Sequence, residues 1–143
     1  MMTLLLQGIA AYVITVTAAM LVEAPKSLIF KTGFCGAIGY IVYYLILPYM
    51  NSISATLVAC IVISMTGQLF ARLFKAPVTI FYIPSFFTLV PGAAIYRTAF
   101  YLIQGDSEKM GYHFIQTLLI AGAIALSVFI VDSFIEIYHH FKR

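Results

Sequence analysis

Of the 143 residues, 63% are hydrophobic and 9% charged, with eight Lys and Arg, five Asp and Glu, and a formal net charge of +3. An ordinary soluble domain carries about 25% charged residues, so this composition excludes a soluble globular domain and a disordered tail. With a mean hydropathy of +1.03 the chain reads as an integral membrane protein. A crossing takes about 20 apolar residues, which leaves room for about five spans and no separate soluble domain.

The first apolar run covers residues 3–22 and is uncharged up to Glu23. It has no basic segment before it and no small-residue cleavage pattern, so we expect it to remain as a helix. The second run, 32–47, stops at Pro48 and the turn-forming pair Asn51-Ser52. The third, 53–74, ends among Arg72, Lys75 and Pro77. The fourth lies within 78–104, and the fifth, 110–137, follows the polar stretch from Gln104 to Lys109. The expected fold is all-α: one transmembrane module over residues 1–143, with five helices and the fourth broken or kinked at Pro84 and Pro91.

Loop charges give the orientation. Lys26, Lys31, Arg72, Lys75, Lys142 and Arg143 fall on one side of a five-span chain. The other side receives the uncharged 48–52 loop and the net acidic 106–109 loop. The positive-inside rule then places the amino terminus outside and the carboxyl terminus in the cytoplasm. Basic residues scattered in ones and twos form no phosphate-tracking patch, so no nucleic-acid partner is expected. Cys35 and Cys60 sit inside apolar runs, which argues against a disulfide framework. Gly33 with Ala37, and Ala121 with Ala125, have the spacing that lets helix backbones approach, pointing to homo- or hetero-oligomers in lipid.

The fourth run departs from a plain anchor. As one helix, residues 78–104 would be roughly 40 Å long, against about 30 Å of hydrocarbon. Pro84 and Pro91 each lack an amide donor and bias the preceding residue away from helix, and Gly92 follows directly. Broken backbone at membrane depth is tolerated where it is buried in protein or lines a wet cavity. A half-helix starting with Pro91 at its first position would leave the Gly92 and Ala93 amides unpaired near mid-membrane. A substrate carboxylate fits that positive helix end, with Tyr96 hydrogen-bonding and Arg97 supplying charge. The competing reading is a break that only shapes packing against the third span.

The stretch Pro-Ser-Phe-Phe-Thr-Leu-Val-Pro-Gly-Ala-Ala-Ile-Tyr at 84–96 resembles the Pro-x(6)-Pro-Gly-x-x-x-Tyr signature of the threonine/serine exporter family. Ala24-Pro25 followed by the glycine-rich residues 33–39 is similar to that family's early region, and the resemblance covers essentially the whole chain. It implies the short, single-module type, which works with a larger five-span subunit carrying the other module. It further implies export of threonine and serine or, as in some two-subunit members, succinate.

Other polar residues carry two readings each. Arg97 either faces a cavity or partner, or snorkels to the outer interface. Asp132 and Glu136, four apart on one helix face, are either proton-coupling carboxylates or interface partners of Lys142 and Arg143. Gln68 and Ser64, one turn apart, hydrogen-bond substrate or another helix. His113 and the His139-His140 pair have no ligand-spaced neighbours, so neither a metal nor another cofactor is expected. No nucleophile–base set assembles, and an enzyme is not expected.

The leading reading is the small membrane subunit of a secondary exporter for small carboxylate-bearing metabolites. A non-transporting scaffold or assembly protein, or an oligomeric channel, is the alternative. For the topology, a cysteine placed at Ser107 is expected to react with impermeant reagent from outside, and one at Lys75 only from the cytoplasm. The reverse pattern, or both on one side, would overturn the five-span parse.

Overall fold

Apolar segments in a bilayer must close their backbone hydrogen bonds internally, and helices do so within one segment. The computed structural model describes residues 2–141, apart from the His139 side chain. It contains α1 (Met2–Leu21), α2 (Ile29–Ile46), α3 (Ser52–Phe74), α4 (Thr79–Phe86), α5 (Gly92–Gln104) and α6 (Ser107–Phe141), with no strand among the described residues. Four helices, α1, α2, α3 and α6, are long and apolar enough to cross a membrane. The expected fourth span is divided between α4 and α5, of 8 and 13 residues. At about 12 and 20 Å, neither reaches across the hydrocarbon alone. Five independent spanning helices are therefore not found.

Two helices extend beyond the expected bounds for local reasons. α2 begins three residues early because the Thr32 amide already bonds the Leu28 carbonyl at 2.8 Å, and Leu28 in turn bonds Pro25 at 2.8 Å. α6 takes in the polar residues 107–109 because Asp106 caps it. The Asp106 carboxylate accepts from the Lys109 amide at 3.1 Å and from Lys109 Nζ at 2.8 Å. That contact holds the Asp106 carboxyl below its ordinary range. Between α5 and α6, Gly105 adopts φ +75°, a left-handed value that disfavours a Cβ. Its amide bonds Leu102 at 3.2 Å and the Asp106 amide bonds Tyr101 at 3.0 Å, closing a tight hairpin.

The glycines of α2 set the spacing of the bundle. Gly33 lies against Tyr12 and Val16, Gly36 against Thr15 of α1, and Gly39 against Ile63 of α3. α4 is wedged among α1, α2 and α3, whereas α5 packs on α6. Cys35, Ala59, Cys60, Ile63 and Phe81 are fully buried where α2, α3 and α4 meet, and both cysteines are free thiols. On α6, Ala123, Ser127 and Val131 are the buried positions. The Ala121–Ala125 pair is exposed, and the stripe two residues further on, Ala123, Ser127 and Val131, is buried instead.

α3 and α6 run side by side in the same direction. Gln68 reaches Asp132, 64 residues further on. Ser52 and Thr56 share a cavity with Gln116 and Ile120 at the same offset. The chain between two parallel neighbours has to return, and α4 and α5 carry it from the Phe74 end back to the Ser107 end. The register also sets Ser52 level with Gln116, so α6 starts about 13 Å before α3 does.

A Cβ at Gly36 would collide with the Thr15 side chain, so Gly36→Leu should cost at least about 1–3 kcal/mol of fold stability through overpacking. Ala125→Leu should leave the fold intact. Thermal unfolding in detergent checks both. A Gly36→Leu protein as stable as the native sequence would contradict the α1–α2 contact.

Candidate functional site

α4 runs through Pro84, which is buried, and ends two residues later at Phe86. The chain then turns through 87–91. Leu89 bonds the Phe86 carbonyl at 2.9 Å, and Thr88 Oγ1 donates to the Ser85 carbonyl at 2.8 Å. Pro91, at φ −76° and ψ 52°, is the N-cap of α5 rather than its first helical residue. The tight turn brings the Gly92 amide onto the Val90 carbonyl at 2.8 Å. The half-helix is present, but it starts one residue later than expected and its Gly92 amide is already used. The first helical bond runs from Ile95 to Pro91 at 3.0 Å. Among the described residues, the Ala93 and Ala94 amides have no acceptor.

Ala93 and Ala94 line a cavity of about 390 Å³, with Thr88, Pro91, Gly92 and Arg97 on the same side. Across it lie Tyr40 and Tyr43 of α2, Ser52 and Thr56 of α3, and Tyr112, His113 and Gln116 of α6. A Cβ at Gly92 would meet nothing within 4 Å, so that position is open. Arg97 lines the cavity; Tyr96 does not, being 69% exposed and stacked on Phe100 with ring centres 6.1 Å apart. The cavity lies about a turn inside the Ser52 end of α3 rather than midway along it. Its position follows from the hairpin: α5 pairs with the first part of α6, which overhangs α3.

The lining offers a guanidinium, an imidazole, an amide side chain and several hydroxyls, and no Asp or Glu. Such a set favours an anion at a helix amino end. His113 reaches the cavity because the Gly105 turn folds α6 against α5, where its ring stacks on Tyr101 at 5.5 Å and an interplanar angle of 3°. Sequence spacing, which sets it far from Tyr43 and Thr56, holds no sign of this.

A second polar cluster lies toward the other end of α6. Asp132 Oδ1 accepts from Gln68 Nε2 at 2.8 Å and from the Tyr82 hydroxyl at 2.9 Å, joining α3, α4 and α6. Glu136, one turn on, is exposed beside Ser133 and His140. The two carboxylates share a helix side but not an environment. Their expected partners Lys142 and Arg143 lie outside the described residues. Ser64, one turn before Gln68, is fully buried with no partner for its hydroxyl. No group of three metal-ligating side chains forms among the described residues.

A bundle of apolar helices with a divided span and a polar cavity at the break is an arrangement found among membrane transporters. Residues 7–134 match the family profile described as "Threonine/Serine exporter, ThrE", and the chain belongs to that family. It is 34% identical over 89 residues to the "Threonine/serine exporter" of Corynebacterium glutamicum, covering 62% of this chain. The matched residues are 18% of that protein's length, so the chain spans only a small part of it. No solved structure matches the chain. Family and apolar helices together make this a membrane protein of an export family.

Proposed function

We propose that the chain is the small membrane subunit of a secondary exporter for small carboxylate-bearing metabolites: threonine and serine, or succinate-like dicarboxylates. In this reading α4 and α5 together make the fourth of five crossings, and a larger five-span subunit of the same family completes the transporter in a bacterial inner membrane. The parallel run of α3 and α6 supports the crossing, because the two loops flanking α4–α5 then lie at opposite ends of the bundle. With the amino terminus outside, the cavity opens near the outer face, where an exported solute leaves.

The observation that carries the reading is the acid-free cavity at the amino end of α5. A carboxylate there would accept from the Ala93 and Ala94 amides, with Arg97 supplying charge from the next turn. Pro91 fixes the turn and Gly92 leaves the approach open, while Tyr96, expected to hydrogen-bond substrate, stands on the exposed side of α5 outside the cavity lining. The exposed Ala121–Ala125 stripe gives that subunit, or a second copy, a surface for close helix approach.

The test is substrate binding to the folded chain with its partner, followed by counterflow in liposomes. Gly92→Val, which fills the space beside the amides, should weaken binding of serine, threonine or succinate by tenfold or more, about 1.4 kcal/mol. Arg97→Gln should have a smaller effect, and Tyr96→Phe the smallest. If all three variants bind and export like the native pair, the carboxylate site is wrong. If the pair moves none of these solutes, the scaffold reading takes its place.

A further inference from the structure

Asp132 stands out among the ionisable groups because it joins three helices, including the one that leads into the break. Its Oδ1 takes one hydrogen bond from Gln68 of α3 and one from Tyr82 of α4. An ionised carboxylate at membrane depth is costly unless it is paired and hydrogen-bonded. Here both donors are neutral. The ring of Tyr82 is held against Gly67, where a Cβ would sit 2.7 Å from it, so its hydroxyl is aimed rather than free to wander.

Other titratable groups surround the cluster. Arg72 lies one turn beyond Gln68 on α3, and Tyr138 lines the same groove from α6. Glu136 is one turn beyond Asp132. From α2, the buried Cys35 thiol points at the Ile63 carbonyl, 3.5 Å away. Asp132 is the carboxylate among these that binds α4.

Two features connect this cluster to the carboxylate cavity, whose nearest lining residue on α6, Ile120, is about 18 Å away along the helix. The first is α4: Tyr82 sits near its middle, and six residues on, Thr88 lines the cavity. The second is a row on α3 at every fourth residue, winding about 40° around the helix at each step: Ser52, Thr56, Cys60, Ser64, Gln68 and Arg72. Its upper members line the cavity and Gln68 binds Asp132. In between, Ser64 keeps a buried hydroxyl with no partner.

We infer that Asp132 is a proton-binding site whose occupancy sets how firmly α4, and with it the break at 87–91, is held to α3 and α6. Ionised, the carboxylate makes charge-assisted hydrogen bonds, roughly twice as strong as neutral ones, and clamps α4 through Tyr82. When one proton moves from water onto Asp132, the neutral acid accepts more weakly and α4 loosens. Release of the proton restores the clamp. The latch stands independently of the exporter reading; its use in driving transport rests on that reading.

Hydrogen–deuterium exchange of the whole chain in lipid nanodiscs, without substrate, tests it. The amides of α4 and residues 87–91 are followed from about pH 7 down to about pH 3, through and below the ordinary carboxylate range. Corrected for intrinsic exchange, protection should fall about tenfold on acidification in the native sequence. Asp132→Asn should show the low protection at every pH. Tyr82→Phe, which keeps the ring and loses the hydroxyl, should do the same and carries the test if Asp132→Asn does not fold. Glu136→Gln should keep the native profile. A flat native profile overturns the latch, as does pH dependence that survives in Tyr82→Phe or high protection throughout in Asp132→Asn. Because no substrate is present, failure here bears on Asp132, whereas failure of the Gly92→Val binding test bears on the cavity.

Discussion

In the interior of a lipid-embedded bundle, an amide or carbonyl outside a helix has little water to turn to, and the segment 87–91 has to satisfy its backbone locally. It does so with a short turn at Leu89, a Thr88 side-chain bond to Ser85, and the Val90–Gly92 bond around Pro91. The rest of the structure follows from housing that segment. α4 is wedged among three helices, α5 is displaced onto α6, and a polar cavity forms where the two part. Glycines in α2 make room for the wedge by letting α1 and α3 close in on α2.

Much of this was legible in the residues. Four apolar runs became helices near their expected bounds, and two prolines and a glycine announced the divided one. The location of the break was harder to read. Pro84 is accommodated within α4, since the missing amide costs a single bond in a buried turn, and unwinding waits until Phe87. Pro91 looks from its fixed φ like a first helical residue, yet its ψ of 52° belongs to a tight turn that consumes the next amide.

The polar residues divide in the same way. Asp132 and Glu136 are alike in spacing and charge, and only the packing of Gln68 and Tyr82 distinguishes them. Arg97 and Tyr96 are adjacent in sequence but sit about 100° apart around a helix, so one lines the cavity and the other faces outward. His113, Thr56 and Gln116 carry no local signal; a parallel register between α3 and α6 brings them together, and such registers are tertiary facts. Small-residue spacing was equally ambiguous. In α2 it marks contacts within the chain, and in α6 it marks an open face.

The Gly105 turn has a mechanical consequence. α5 is joined to α6 through Gly105 and Asp106 and two closing hydrogen bonds, and at its other end through an irregular loop of five residues. A helix tethered so unequally behaves as a lever with its fulcrum at the tight end. Rotation about Gly105 moves the Pro91 end furthest and leaves the α5–α6 junction almost still. A tilt of α5 about Gly105 would therefore move the cavity-lining residues Pro91 to Ala94 more than the residues at the hairpin.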